Sequence, residues 1–223
     1  KTDWSWTPLF CDLDNDGWKD LVITNGYKRD MRDVDYVNAS DKLKEQKQVS
    51  MQQLFSLVPT NRIRNYIYRN KGADESGMPS LGFEDVSDAW GFKQPVNSNG
   101  ATYADLDNDG DLDVLINNID AMAEVYENQT VQKGKGHWLR VQVEGDGGKA
   151  YGTKLTLSTP QGEQFQELMP TRGFQGGVDR ILHFGLGAET SAKELVVRWP
   201  DGQESRFANV KADQVLKVER ATA

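Results

Sequence analysis

The feature that most constrains this chain is an acidic loop that occurs twice. Asp12-Leu13-Asp14-Asn15-Asp16-Gly17-Trp18-Lys19-Asp20 and Asp105-Leu106-Asp107-Asn108-Asp109-Gly110-Asp111-Leu112-Asp113 share the pattern D-x-D-x-D-G-x-x-D. Asp and Gly also form ordinary turns by bonding their own backbone. Four carboxylates in so short a loop would repel one another without a cation, however, and here the arrangement is repeated. The hard cation that suits them is Ca²⁺, which takes six to eight oxygens at about 2.3–2.6 Å. In a tightly curled loop alternate residues point inward, and the glycine permits the sharp bend. The spacing therefore predicts two Ca²⁺ sites. Asp12, Asp14, Asp16 and Asp20, with the backbone carbonyl of Trp18, form the first. Asp105, Asp107, Asp109 and Asp113, with the backbone carbonyl of Asp111, form the second. An EF-hand would need a Glu at loop position twelve, where this chain has Ile23 and Ile116. Mg²⁺ suits the loops less well, because it demands a near-ideal octahedron and keeps its waters.

The sequence around the loops repeats as well. Leu21-Val22-Ile23 and Val114-Leu115-Ile116 follow as short, mostly β-branched runs bounded by turn residues, which read as buried strands. Tyr68-Arg69-Asn70 and Tyr126-Glu127-Asn128 recur further on, with a longer insertion in the first copy. Good helix formers over 41–58, ended by Pro59, predict a helical insertion there. Phe83, Val86 and Trp90 anchor two further short strands between the copies. About four short strands per copy is the composition of a β-propeller blade, and two blades cannot close a ring.

After Asn128 the polar, basic, Gly-containing stretch QTVQKGKG reads as a linker. We place a boundary there, giving units 1–131 and 132–223. Beyond it, alternating runs separated by GDGG, PQG and PDGQ turns predict a small all-β sandwich. The fold class expected is mainly β: a partial β-propeller of about two blades with a helical insertion, then the sandwich.

Composition narrows the function. The formal charge of −8 argues against a nucleic-acid partner, since affinity for phosphate backbones comes from clustered Lys and Arg. No stretch approaches the roughly 20 apolar residues of a membrane helix. The opening KTDWSWTPLF has neither a start Met nor a secretory pattern, so a longer parent chain is expected. A single cysteine, Cys11, leaves no internal disulfide and reads as a small buried residue. No G-x-S-x-G or H-E-x-x-H is present, and His137 and His183 both fall in expected strands, where a structural role is the default. Each of the six tryptophans defaults to the core. Carboxylate pairs such as Glu84 and Asp85, or Glu163 and Glu167, would be the acid and base of a polysaccharide-acting hydrolase. The expectation is instead a protein that is not an enzyme.

The first 130 positions resemble the FG-GAP/VCBS repeats of integrin-like β-propellers, whose calcium loop is DLDNDG with its trailing Asp and apolar strand. The stretch from His137 to about Phe207 resembles the ASPIC/UnbV domain of the cartilage acidic protein family. That likeness is carried by Thr171-Arg172-Gly173-Phe174-Gln175, His183-Phe184-Gly185-Leu186-Gly187 and Val197-Arg198-Trp199-Pro200-Asp201-Gly202. Where relatives carry Ser after the RGFQ motif, this chain has Gly176-Gly177. The combination is similar to the large surface VCBS proteins of Bacteroidetes-type bacteria. The resemblance implies an exported chain at the cell surface, the outer-membrane surface or the extracellular space. Further blades of a longer chain are expected to complete the ring, and the leading expectation is a calcium-stabilised surface module that binds a protein or glycan. A structural spacer or subunit of an outer-membrane uptake complex is the other non-catalytic expectation.

Overall fold

The computed structural model describes residues 4–45, 49–60, 62–74, 76–145 and 150–220. The chain is mainly β, in several sheets with no closed barrel among the described residues.

The first acidic loop joins β1 (Ser5–Cys11) to β2 (Asp20–Asn25). An insertion follows, pinned at its base where the Asp30 N–H donates to the Pro59 carbonyl over 3.0 Å. It holds α1 (Val34–Lys44) and α2 (Met51–Ser56), where the sequence reading had one helix over 41–58. Asp33 caps α1 through the Tyr36 N–H, and Ser50 caps α2 through a reciprocal capping box with Gln53. A second cap inside the stretch is why it forms two helices. Residues 46–48 lie outside the described residues.

The chain returns as β3 (Ile63–Arg64), β4 (Tyr66–Asn70), β5 (Phe83–Asp85) and β6 (Pro95–Val96). Strands β1, β2, β4 and β5 make one antiparallel sheet in that order. Val86 and Trp90 fall in the turn after β5 instead of forming the further strand expected there.

The second copy runs through β7 (Ser98–Ala104), the second loop, β8 (Asp113–Asn118) and β9 (Glu124–Tyr126), a three-stranded sheet. Its register duplicates the first. Cys11 faces Asp20 as Ala104 faces Asp113, and Leu9 faces Val22 as Thr102 faces Leu115. Tyr68 faces Leu21 as Tyr126 faces Val114. Both β-hairpins even carry the same register shift, between Ser5 and Pro8 and between Ser98 and Ala101. One hydrophobic cluster unites the two copies through Leu9, Val22, Ile67, Val114 and Ile116.

The remaining strands are β10 (His137–Glu144), β11 (Lys154–Thr159), β12 (Gly162–Glu167), β13 (Ile181–Gly187), β14 (Ser191–Arg198), β15 (Glu204–Lys211) and β16 (Gln214–Glu219). They form a three-stranded sheet, β13-β10-β16, and a four-stranded sheet, β12-β11-β14-β15. Alternate residues from both, including Leu139, Val141, Leu155, Phe184 and Leu195, share a second hydrophobic cluster. Cys11 and Trp199 are buried, whereas the other five tryptophans are half-buried.

Candidate metal centre

Each acidic loop curls on its own carboxylates. Asp12 accepts the N–H groups of Asp16 and Gly17 at 3.2 and 2.8 Å, and Asp105 accepts those of Asp109 and Gly110 at 3.2 and 3.0 Å. The last aspartate of each loop ties it to the returning strand. Asp20 takes the N–H groups of Leu13 and Asn70, and Asp113 those of Leu106 and Asn128. The curl needs left-handed backbone at Asn15 and Asn108, and at Gly17 and Gly110, whose φ angles are 92° and 101°.

This curl brings carboxylates together. Oxygens of Asp12, Asp14 and Asp20 lie within 4.8 Å of one another, as do those of Asp105, Asp107 and Asp109. Asp16 and Asp113 fall outside these triads. Asp16 bonds Arg69 and the Trp18 N–H, and both oxygens of Asp113, like those of Asp20, accept backbone N–H groups. Trp18 and Asp111, expected to offer carbonyls, each follow the glycine bend. The carboxylate of Asp111 stands apart from the set, with one oxygen on the Val131 N–H and the other buried without a partner.

Electrostatics fit a cation at the first loop. Burial, then repulsion from Asp16, Asp20 and Asp14, holds the Asp12 carboxyl well above the usual carboxylate range. Burial, and after it the charges of Asp14 and Asp16, pushes Asp20 up to about 7. Asp14 Oδ1 is buried with no hydrogen-bond partner. An all-oxygen donor set with an orphaned buried oxygen suits a hard divalent ion. In the second loop burial leads in raising Asp109, and Asp111 rises to about 6.

Sequence reasoning missed two arginines. Arg69 of β4 reaches Asp14 through Nε at 2.5 Å and Asp16 through an Nη at 3.1 Å. Arg140 of β10, only 4% exposed, meets the fully buried Asp105 carboxylate at 2.6 Å. Arg140 is one of several ties between the loops and the C-terminal sheets. Asn15 donates to the Gly110 carbonyl at 3.1 Å, so its Oδ1 accepts from His183 Nε2 at 2.7 Å. Burial, reinforced by the Arg140 charge, pushes His183 down to about 3, so the ring is neutral. The Asn15 carbonyl accepts the Gly187 N–H at 2.8 Å.

Glycines permit this close approach. A Cβ at Gly185 would overlap an Asp12 carboxylate oxygen, and one at Gly110 would overlap the Trp138 ring. Thr171-Arg172-Gly173-Phe174-Gln175 also meets the first hairpin, where the Phe174 N–H donates to Thr7 Oγ1 at 3.2 Å. At Gly176 an added Cβ would lie 2.7 Å from the Arg172 carbonyl and 2.9 Å from that of Ala101, so a serine does not fit.

The groups weighed as an alternative for catalysis are engaged or exposed. His137 bonds Asp213 at 2.7 Å, Asp85 pairs with Arg64, and Glu84 and Glu163 are exposed. No helix among the described residues is long and apolar enough to cross a membrane.

Comparison with known proteins gives a family match from the last residue of β10 onward. Residues 144–223 match the family model described as ASPIC and UnbV. The curated relatives carry one name, Cartilage acidic protein 1. The protein of Xenopus tropicalis is 33% identical over 107 residues, which cover 47% of this chain and 16% of the relative. Those of Mus musculus and Homo sapiens are 27% identical over 167 residues, covering 69% of this chain and 25% of theirs. The chain thus matches a quarter or less of the length of these relatives.

Proposed function

We propose that this chain is a non-catalytic, calcium-binding interaction module of an exported protein. In this reading the paired sheets are two FG-GAP/VCBS blades whose ring is completed by further blades of a longer chain. The observation that carries the calcium reading is the convergence of carboxylates in two loops of duplicate register. The ions would be held by Asp12, Asp14 and Asp20, and by Asp105, Asp107 and Asp109, with Asp16, Asp113 and the carbonyls of Trp18 and Asp111 within the same loops. Bound there, Ca²⁺ supplies charge neutralisation that fixes the curl, which stabilises the protein instead of reacting.

An extracellular or outer-membrane location agrees with the name of the relatives, an acidic protein of cartilage, and with the chain's own charge of −8. A protein or glycan ligand is supported by an open groove of about 1040 Å³ beside both loops, flanked by Trp90, Trp138, Arg69 and His137. Sugars and peptides alike stack on half-exposed aromatic rings. A glycan and peptide array probed with calcium and with chelator tests the reading. Calcium-dependent binding supports it. Turnover of a polysaccharide would replace it with a hydrolase, and silence in both conditions would favour a structural spacer.

A further inference from the structure

The two loops share backbone geometry but not charge. At the first, Arg69 bonds two of the expected ligand carboxylates, Asp14 and Asp16. The equivalent residue at the second, read from Tyr68-Arg69-Asn70 against Tyr126-Glu127-Asn128, is Glu127. There the neutral Gln132 amide bonds Asp109, and Asp107 has no ion-pair partner among the described residues. Arg140 meets only Asp105 of that loop's carboxylates, and has Asp179 at 3.8 Å as a second counterion.

We propose that Arg69 is a built-in competitor for calcium at the first loop, displaced when that loop loads. This rests on the calcium reading above. Arg69 occupies one oxygen each of Asp14 and Asp16, and a guanidinium left beside Ca²⁺ repels it. Asp14 shows both sides of the competition, since its Oδ2 is held by Arg69 while its buried Oδ1 has no partner.

The displaced arginine has a receiver. Arg69 stands directly across the β4–β5 pair from Glu84. Glu84 is exposed and has no ion pair among the described residues, and cross-strand neighbours of opposite charge attract. Both side chains line the groove that also holds Asp14 and Asp16. The Arg69 side chain is 44% exposed and free on that side to swing. Loading the first loop thus moves one guanidinium from the loop to the groove wall, making the groove sensitive to calcium concentration.

Calcium titration against a chromophoric chelator, on the wild type and on Arg69→Met, Arg69→Gln and Glu84→Gln, tests this. Asp14→Asn and Asp107→Asn assign each affinity to its loop, and circular dichroism checks that every variant is folded. The wild type should bind two ions, with Asp14→Asn abolishing the first-loop site. Both Arg69 variants should tighten that site by about fivefold or more and leave the other unchanged. Glu84→Gln should weaken it by about twofold. The Arg69 Nε–H resonance should shift as the first-loop site fills. Two sites in the wild type with no change in either folded Arg69 variant would overturn the competition while leaving the calcium reading intact. A wild type that binds no calcium would overturn both.

Discussion

Replacing Arg140 with Met would show whether the acidic loops and the C-terminal sheets are energetically one structure. Arg140 and Asp105 are 4% and 0% exposed and meet at 2.6 Å. Removing one partner of a buried pair leaves an uncompensated charge, which costs about 3–5 kcal/mol. Asp105 would keep the N–H groups of Asp109 and Gly110, so the lower end, about 3 kcal/mol, is expected. For a chain of this size each kcal/mol shifts Tm by about 2–4 °C, giving a fall of about 6–12 °C in chelator. Saturating calcium should shrink the fall, because a divalent ion in the second loop supplies Asp105 with a substitute partner. Thermal unfolding by circular dichroism measures each case. Adding Asp105→Asn should cost less than the two single effects summed, since neither partner then lacks the other. A Tm change under about 2 °C in chelator, or strict additivity in the double variant, would refute the coupling.

Further outcomes follow from the same contacts. Gly110→Ala should destabilise by about 3 kcal/mol or more, because it puts a Cβ into the Trp138 ring at a φ of 101°; chemical denaturation measures this. His183 has its folded pKa depressed to about 3, so the unfolded chain takes up the proton first as pH falls. Its stabilising contribution is present above about 6.5 and lost progressively toward pH 3, by at most about 1.4 kcal/mol per unit. Denaturation of the wild type against His183→Gln across that range should show the difference curve sloping accordingly. Asp20 has the opposite sign. Its folded pKa is raised to about 7, so the metal-free fold binds a proton as pH falls through 7, and calcium must displace it. Calorimetric titration at pH 8 and pH 6 should show weaker binding at pH 6 with net proton release.

How much of this was legible in the sequence depended on whether a residue's role was local. The loops, their flanking strands and the repeat could be read because spacing alone sets which way alternate residues point. The convergence of Asp12, Asp14 and Asp20 follows from that spacing, although Asp16 is drawn to Arg69 instead. Arg69 left a local trace, a charge reversal against Glu127 in a recurring triplet. Arg140 left none. In β10 the core side is marked by Leu139, Val141 and Val143, so alternation puts Arg140 on the opposite face, expected in water. It is buried because the second loop packs there, and no periodicity within one strand reports a contact with a distant loop. His183 was read as structural, but its partner Asn15 sits at a loop position to which the ligand pattern assigns no role. The helix over 41–58 was misread because Ser50 with Gln53, and Asp33 with Tyr36, are caps that a search for helix formers passes over.

A crystal structure determined at millimolar calcium tests the central claim most directly. The account predicts one strong peak in each loop, about 2.3–2.6 Å from the carboxylate oxygens of Asp12, Asp14 and Asp20 and of Asp105, Asp107 and Asp109. Arg69 should have left Asp14 for Glu84. Loops without a peak, with Arg69 still bridging Asp14 and Asp16, would contradict it.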